Sequence, residues 1–311
     1  MIFPENKLII IAGPTGVGKS AAAIELARII GGEIISADSM QIYKHMDIGT
    51  AKVTPKEMGS INHYLIDQLN PDEEFNIYVF KEMAEAAILK IRANGHVPII
   101  CGGTGFYIQA LLYDIEFEEE IDDGYRKYLE ELLDSKGNTY LHDMLREVDP
   151  VSASKIHAND SKRVIRALVF SHNNNRPISE HNIEQESKTS PYDFTYFVLT
   201  DDRQIIYDNI DKRVDKMIEA GLVEEVSALC KRGYGRELVS MQGLGYKEII
   251  SYLNNEITLD EAIRIIKRDT RHFAKRQLTW YKRESNTIFI NKRITGSSCA
   301  QTVNAMLNEL R

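Results

Sequence analysis

The eight residues Gly13-Pro14-Thr15-Gly16-Val17-Gly18-Lys19-Ser20 fit the pattern GxxxxGK[ST]. Their types and spacing suit one kind of chemistry. Gly13, Gly16 and Gly18 let the chain wrap so that successive backbone N–H groups point at phosphate oxygens, with Thr15 inside the cradle. A helix starting at Ser20 adds the positive end of its dipole. Lys19 supplies a mobile charge, and the Ser20 hydroxyl can hold Mg²⁺. The motif reads phosphate or diphosphate. On its own it accepts a nucleotide such as ATP equally well.

Three more candidates stand near the ends of predicted strands. The run 34–37 leads into Asp38-Ser39-Met40-Gln41. In open α/β sheets the carboxyl ends of strands line the ligand crevice, so Asp38 faces the phosphate loop as a general base or a magnesium carboxylate. The competing reading is an aspartate that caps a turn. The run 97–101 leads into Gly102-Gly103-Thr104-Gly105, where paired glycines permit close backbone approach and Thr104 offers a hydroxyl. Glycine pairs also join strands to helices with no ligand involved. Arg213, on a helix just after the run 195–200, can reach an anion, although helix surfaces carry many arginines with no such role.

These positions need a scaffold, and the hydropathy pattern supplies one. Short isoleucine- and valine-rich runs at 8–12, 33–37, 97–101, 196–200 and 287–290 suit strands buried on both faces of a parallel sheet. Helical segments at 20–30 and 77–93 alternate with them, which predicts an α/β layer fold with right-handed crossovers. The alternation breaks at 116–192. Residues 116–134 hold nine acids against Arg126 and Lys127 alone. Helices are predicted over 125–134, 139–147 and 161–170, with a polar loop at 173–177. The expected organisation is a discontinuous core, 1–115 with 193–311, interrupted by a helical insertion domain at 116–192. Beyond Asp201 the chain reads as helical almost to Glu284.

Charge is unevenly spread. The 311 residues carry a net −8, yet residues 264–293 hold ten Lys/Arg and two acids. Such a surface suits a polyanion, and Phe273 and Trp280 within it suit stacking on unpaired bases. The plainer reading is a solvated amphipathic helix with those aromatics in the core. Lys162-Arg163-Val164-Ile165-Arg166 forms a second, smaller basic cluster inside the insertion. Three cysteines far apart in sequence give neither a disulfide framework nor a zinc site by themselves. No run approaches the roughly 18 apolar residues of a membrane span. The run 8–12 is too short for a signal-peptide core. A soluble, cytoplasmic protein is expected, with nothing that demands more than a monomer.

Seven stretches then occur in one order: GPTGVGKS at 13–20, ISADSMQIYKHMDIGTAK at 35–52, CGGTGFY at 101–107, KRVIRAL at 162–168, KRVDKMIEAGLVEEV at 212–226, GLGYKE at 243–248 and AKRQLTWYKR at 274–283. With them the sequence resembles the tRNA dimethylallyltransferase (tRNA isopentenyltransferase) family over nearly its whole length. Phe106, Val169-Phe170 and the loop 173–176 depart from the usual pattern. The resemblance implies a P-loop NTPase-like, nucleotide-kinase-like parallel sheet core with a helical insertion domain. It implies transfer of a five-carbon group from dimethylallyl diphosphate to N6 of the tRNA adenosine immediately 3′ of the anticodon (position 37), with Mg²⁺ as cofactor. It makes Asp38 the base, and Lys19, Arg213, Thr104 and Mg²⁺ at Ser20 the stabilisers of the leaving diphosphate. It places contacts to the anticodon stem-loop at Asp38, Ser39, Met40 and Gln41, at Thr104 and Arg126, and at Lys162, Arg163 and Arg166. It adds Gln242, Gly245 and Lys247, and Lys275, Arg276, Gln277, Trp280 and Lys282. The alternative, a P-loop small-molecule or nucleotide kinase, accounts for the loop and Asp38 but not for the basic, aromatic-bearing helix.

Overall fold

The computed structural model describes residues 3–115, 123–186 and 188–310. By internal contacts the chain divides into two compact units, Met1–Leu112 with Tyr192–Arg311, and Tyr113–Pro191.

The first unit starts β1 (Lys7–Ala12), α1 (Lys19–Ile30), β2 (Gly32–Ala37), the single turn α2 (Pro55–Met58), β3 (His63–Tyr64), α3 (Ile77–Ala93), β4 (Val97–Gly102) and α4 (Gly105–Leu112). The second unit is all helical: α5 (Tyr125–Lys136), α6 (Asn138–Val148), α7 (Pro150–Lys155), α8 (Ser161–Asn174) and α9 (Ile178–Glu186). The first unit resumes with β5 (Asp193–Thr200), α10 (Arg203–Glu219), α11 (Leu222–Lys231), a 3₁₀ turn (Ser240–Gln242), α12 (Tyr246–Leu253) and α13 (Leu259–Tyr281). It ends with β6 (Thr287–Asn291), α14 (Lys292–Thr295) and α15 (Cys299–Glu309).

The six strands form one parallel sheet in the order β3-β2-β4-β1-β5-β6. Five of them coincide with the apolar runs read from sequence. The two-residue β3 carries no such run, because two residues cannot display a period. β1 lies at the centre, and Leu8 to Ala12 are completely buried. Successive side chains point to opposite faces. Ile9 and Ile11 therefore join one core with Ala23, Leu26 and Ala27 of α1 and Val303, Met306 and Leu307 of α15. The helix α3 packs on β2 and β4. Each fully buried aliphatic side chain of this layer contributes about 1.5–3 kcal/mol.

The register decides where the site forms. Ala12 is level with Gly102, and Ala37 is level with Gly102 on its other side. The three chains leaving β1, β2 and β4 thus emerge side by side at one edge of the sheet. Gly13 leaves at φ +145, and a Cβ there would collide with the Leu199 carbonyl oxygen of β5. Only glycine makes that exit from the sheet.

The second unit has its own core of Leu129, Leu141, Leu145, Val164, Ile165 and Leu168. Among its described residues it holds five helices where the sequence suggested three. The extra two, α7 and α9, are short and are held by one side chain. Asp149 is fully buried and accepts from Ser152 N–H at 2.9 Å, Ser152 Oγ at 2.7 Å, Ser179 N–H at 2.9 Å and Ser179 Oγ at 2.7 Å. The acidic residues 116–122, including the expected start of the insertion, lie outside the described residues. Among the described residues no helix is long and apolar enough to cross a membrane. The three cysteines are free.

Burial alone would push the Asp149 carboxyl up, but these hydrogen bonds outweigh it and hold it below the ordinary aspartate range. A depressed folded-state value stabilises above the unfolded value of about 3.9 and fades as pH falls below it. Asp149→Asn cannot accept all four bonds. It is expected to cost about 2–3 kcal/mol at pH 7, with the gap to wild type narrowing below about pH 4. Urea unfolding at the two pH values measures this; equal loss at both would show that the charge is irrelevant.

Candidate active site

One cavity of about 340 Å³ opens at the carboxyl edge of the sheet, wholly within the first unit. Thr15 reaches it from the phosphate loop, Asp38, Ser39 and Met40 from the exit of β2, and Gly103 and Thr104 from the exit of β4. Arg213 reaches it from α10, Gly245 and Lys247 from the start of α12, and Arg276 and Gln277 from α13. Residues up to 262 positions apart in sequence thus share one wall.

The phosphate loop joins β1 to α1, as the motif requires. Gly18 stands before α1 in the left-handed region, φ 93. The Lys19 ammonium donates to the Pro14 carbonyl at 2.9 Å, so it curls back over the loop. Lys19 is half-buried by surface. Burial above all brings its ammonium down to about 8; Arg213 acts in the same direction, and Cys101 and Asp38 oppose it. Ser20 is exposed at the first turn of α1. The Lys292 ammonium donates to the Val17 carbonyl at 3.2 Å, bringing a second lysine to the loop that the motif does not include.

The Asp38 carboxylate closes a turn and also lines the cavity. One oxygen accepts the Met40 N–H at 2.9 Å. Arg213 is half-buried, and burial lowers its guanidinium while the Asp38 charge offsets part of that lowering. It also donates to the Thr50 carbonyl at 3.2 Å. Thr104 is fixed by its backbone, whose N–H donates to the Ala37 carbonyl at 3.2 Å.

The wall behind Thr50 depends on Glu225. Its carboxylate accepts from Asp47 N–H at 2.9 Å, Ile48 N–H at 2.7 Å, Gly49 N–H at 3.1 Å and the Tyr246 hydroxyl at 2.7 Å. Burial and the Glu225 charge drive the Tyr246 phenol far above its ordinary value, so it stays a donor. Glu225 lies in the stretch 212–226, but its role is not legible there, because the three backbone N–H groups it accepts from lie more than 170 positions away.

Other expected residues stand elsewhere. Gln41 is buried away from the cavity, with its amide at 3.4 Å from the Thr50 and Ala51 carbonyls and from the Ser36 hydroxyl. The base-reading role expected for it competes with these bonds. Gln242 is exposed and turns its amide to the Arg236 carbonyl. Trp280 packs on Gly105 and edge-to-face on Phe106, with ring centres 6.2 Å apart. Trp280 is half-buried by this packing. In the second unit Arg126 is half-buried on α5, while Lys162, Arg163 and Arg166 are exposed on α8 beside buried Val164 and Ile165.

The basic segment divides in two. Its first half is tied to acids: Arg264 to Glu261, Lys267 to Asp215 at 2.5 Å, Arg268 to Asp269, and Arg271 to Asp211 at 2.5 Å. Lys275, Arg276, Lys282 and Arg283 are exposed and have no ion-pair partner among the described residues. On α13 and the turn after it, the cations without an ion pair therefore stand at the C-terminal end.

The apolar side of the cavity was not read from sequence. Ile210, Val214 and Met217 come from α10, and Ile266 and Phe273 from α13. Their spacings of three, four and seven are helical, and an amphipathic reading of α10 and α13 would have found them.

Comparison with known proteins agrees over most of the chain. The family model described as IPP transferase matches residues 41–284. A tRNA dimethylallyltransferase of Lachnoclostridium phytofermentans is 58% identical over 287 residues, 92% of each chain. One of Acetivibrio thermocellus is 51% identical over 288 residues, again 92% of each. Among solved structures, the tRNA isopentenylpyrophosphate transferase of Bacillus halodurans superposes with TM-score 0.73 at 39% identity, covering 98% of this chain and 95% of that one. A eukaryotic dimethylallyltransferase acting on tRNA gives TM-score 0.81 at 28% identity, over 98% and 80% of the two chains. These relatives share the P-loop NTPase-like core, and the chain belongs to the IPP transferase family.

Proposed function

We propose that the chain transfers a dimethylallyl group from dimethylallyl diphosphate to N6 of the adenosine next to the tRNA anticodon, releasing diphosphate. The observation that carries this is one cavity that joins a diphosphate loop, a carboxylate, and an apolar wall large enough for a five-carbon chain and a base. The names of the relatives support the same reaction.

The adenine N6 amine is a weak nucleophile, since its lone pair is delocalised into the ring. Its protons become acidic as it attacks the allylic carbon. Asp38 would accept one, with its second oxygen held by Met40 N–H in a fixed orientation. Charge grows on the bridging oxygen of the leaving group. Lys19, Arg213 and the Thr104 hydroxyl would meet it in a site walled by Ile210, Val214 and Phe273. That wall also limits hydrolysis of the allylic diphosphate.

The donor set fits magnesium. Ser20 presents an exposed hydroxyl beside Lys19, and no group of three His, Cys, Asp or Glu that would cage a metal occurs among the described residues. Mg²⁺ held by one or two protein oxygens and substrate phosphates has that character. Ser20 would hold it, and it would neutralise diphosphate charge. An ATP-type nucleotide is the other ligand class for this loop, and the assay below separates the two.

The target base must leave its stack, at a cost lower in a loop than in a duplex. Lys275, Arg276 and Lys282 would hold the RNA backbone, and Ser39, Met40, Gly245 and Lys247 would meet the extruded nucleotide at the cavity. Lys162, Arg163 and Arg166 would add phosphate contacts from the solvent face of α8, with Arg126 on α5.

The first test is a transfer assay with unmodified tRNA, labelled dimethylallyl diphosphate and Mg²⁺, read by mass on digested RNA. A five-carbon adduct on adenosine is expected, with Asp38→Asn reducing its rate about 10²–10⁴-fold while tRNA binding persists. ATP consumption without adduct would point to a kinase instead.

Lys19 sets a pH dependence. Its ammonium is charged below about pH 8 and loses its proton above that. A bound diphosphate favours the charged form. Calorimetry with inorganic pyrophosphate should show affinity falling as pH rises beyond 8, and Lys19→Met should be weaker at pH 7 and flatter above it.

The divided basic segment gives a contrast. Lys275→Ala with Arg276→Ala should weaken tRNA binding and lower the salt slope by about two. Arg271→Ala removes a cation already paired with Asp211, and should change that slope far less. Titrations between 50 and 200 mM salt would decide it.

A further inference from the structure

Gln277 lies within the stretch that the resemblance assigns to tRNA, yet its surroundings differ from those of Lys275 and Arg276. Both neighbours are exposed, while Gln277 is 6% exposed. Its Oε1 accepts the Thr15 N–H at 2.9 Å, and its Nε2 donates to the Gly103 carbonyl at 2.9 Å. One carboxamide thus joins the phosphate loop to the glycine turn that carries Thr104.

The fit is specific in chemistry. The Thr15 N–H requires an acceptor and the Gly103 carbonyl requires a donor, which fixes which end of the amide faces which loop. Glutamate can only accept when ionised, and methionine supplies neither bond. The glycine turn is shaped to receive this helix. A Cβ on Gly103 would collide with the Gln277 amide, and one on Gly105 with the Trp280 indole, one turn further along α13. Those two glycines flank Thr104, and its own N–H is tied to Ala37 beside Asp38. The close approach that the glycines allow is made by the protein's own side chains.

We propose that Gln277 is a positioning residue, not an RNA contact: it sets the spacing between the diphosphate loop and Thr104, and so acts on diphosphate binding and transfer through them. The proposal rests on diphosphate being the ligand of the loop. An RNA contact by Gln277 would break two bonds inside the protein, and a buried amide left unpaired is costly.

The test separates the two partners. Wild type, Gln277→Met, Gln277→Glu and Lys275→Ala are titrated with inorganic pyrophosphate and Mg²⁺ without RNA, then assayed for transfer at varied tRNA. Gln277→Met is expected to weaken pyrophosphate about tenfold and lower kcat about as much, with the KM for tRNA within about twofold of wild type. Lys275→Ala is expected to show the opposite split, a raised KM for tRNA with pyrophosphate binding kept. Gln277→Glu keeps the acceptor for Thr15 and loses the donor to Gly103, so a loss of a few-fold is expected. It decides the matter if the methionine variant melts early. Pyrophosphate binding equal to wild type in the Gln277 variants, or a raised tRNA KM as their only defect, would overturn the proposal. Failure of the wild type itself to bind pyrophosphate is a different result, and would remove the transferase reading on which the proposal stands.

Discussion

Everything at the site depends on the level at which three parallel strands end. Ala12, Gly102 and Ala37 stand side by side in adjacent strands. The hydrogen-bonded register of a parallel pair cannot slip by one residue without turning every side chain to the other face. With Ile9 and Ile11 packed under α1, that slip would expose the core. Hydrophobic burial therefore fixes the register, and the register delivers the phosphate loop, Asp38 and Thr104 to one edge.

Backbone delivery is coarse, and long-range side-chain bonds refine it. Glu225 takes three successive N–H groups of the segment 47–49 and the Tyr246 hydroxyl, which sets the wall at Gly49 and Thr50. Gln277 does the same between Thr15 and Gly103. Each is a polar group on a helix that satisfies loop backbone otherwise left without partners. Such loops gain a single conformation without secondary structure of their own.

Charge is handled in the same economical way. The chain is acidic overall, yet cations gather at the site and along α13. Pairing of Lys267 and Arg271 with Asp215 and Asp211 on α10 fastens the helix. The cations further along α13 and just beyond it are left for a polyanion. Between the phosphate loop and the cavity wall Lys19 and Arg213 crowd each other, and Asp38 offsets both. An arriving diphosphate would relieve that crowding.

The sequence by itself determined five of the six strands, the phosphate loop, and the candidates Asp38, Thr104 and Arg213. Apart from Arg213, which stands on the helix α10, these are local: an apolar run long enough to be buried on both faces, and residues within a few positions of its end. The family resemblance likewise rested on contiguous words. Tertiary structure decided the rest. It buried Gln41 and Gln277 while leaving Lys275 and Arg276 exposed, a distinction their shared motifs do not carry. It paired Lys267 and Arg271 of the basic segment with acids some fifty to sixty residues earlier, on α10. It built the apolar wall from α10 and α13, and gave Glu225 its role. The physical reason is range. Propensity and periodicity act over a turn or a strand, whereas a hydrogen bond between Gln277 and Thr15 spans 262 positions and exists only once the sheet has brought its ends together.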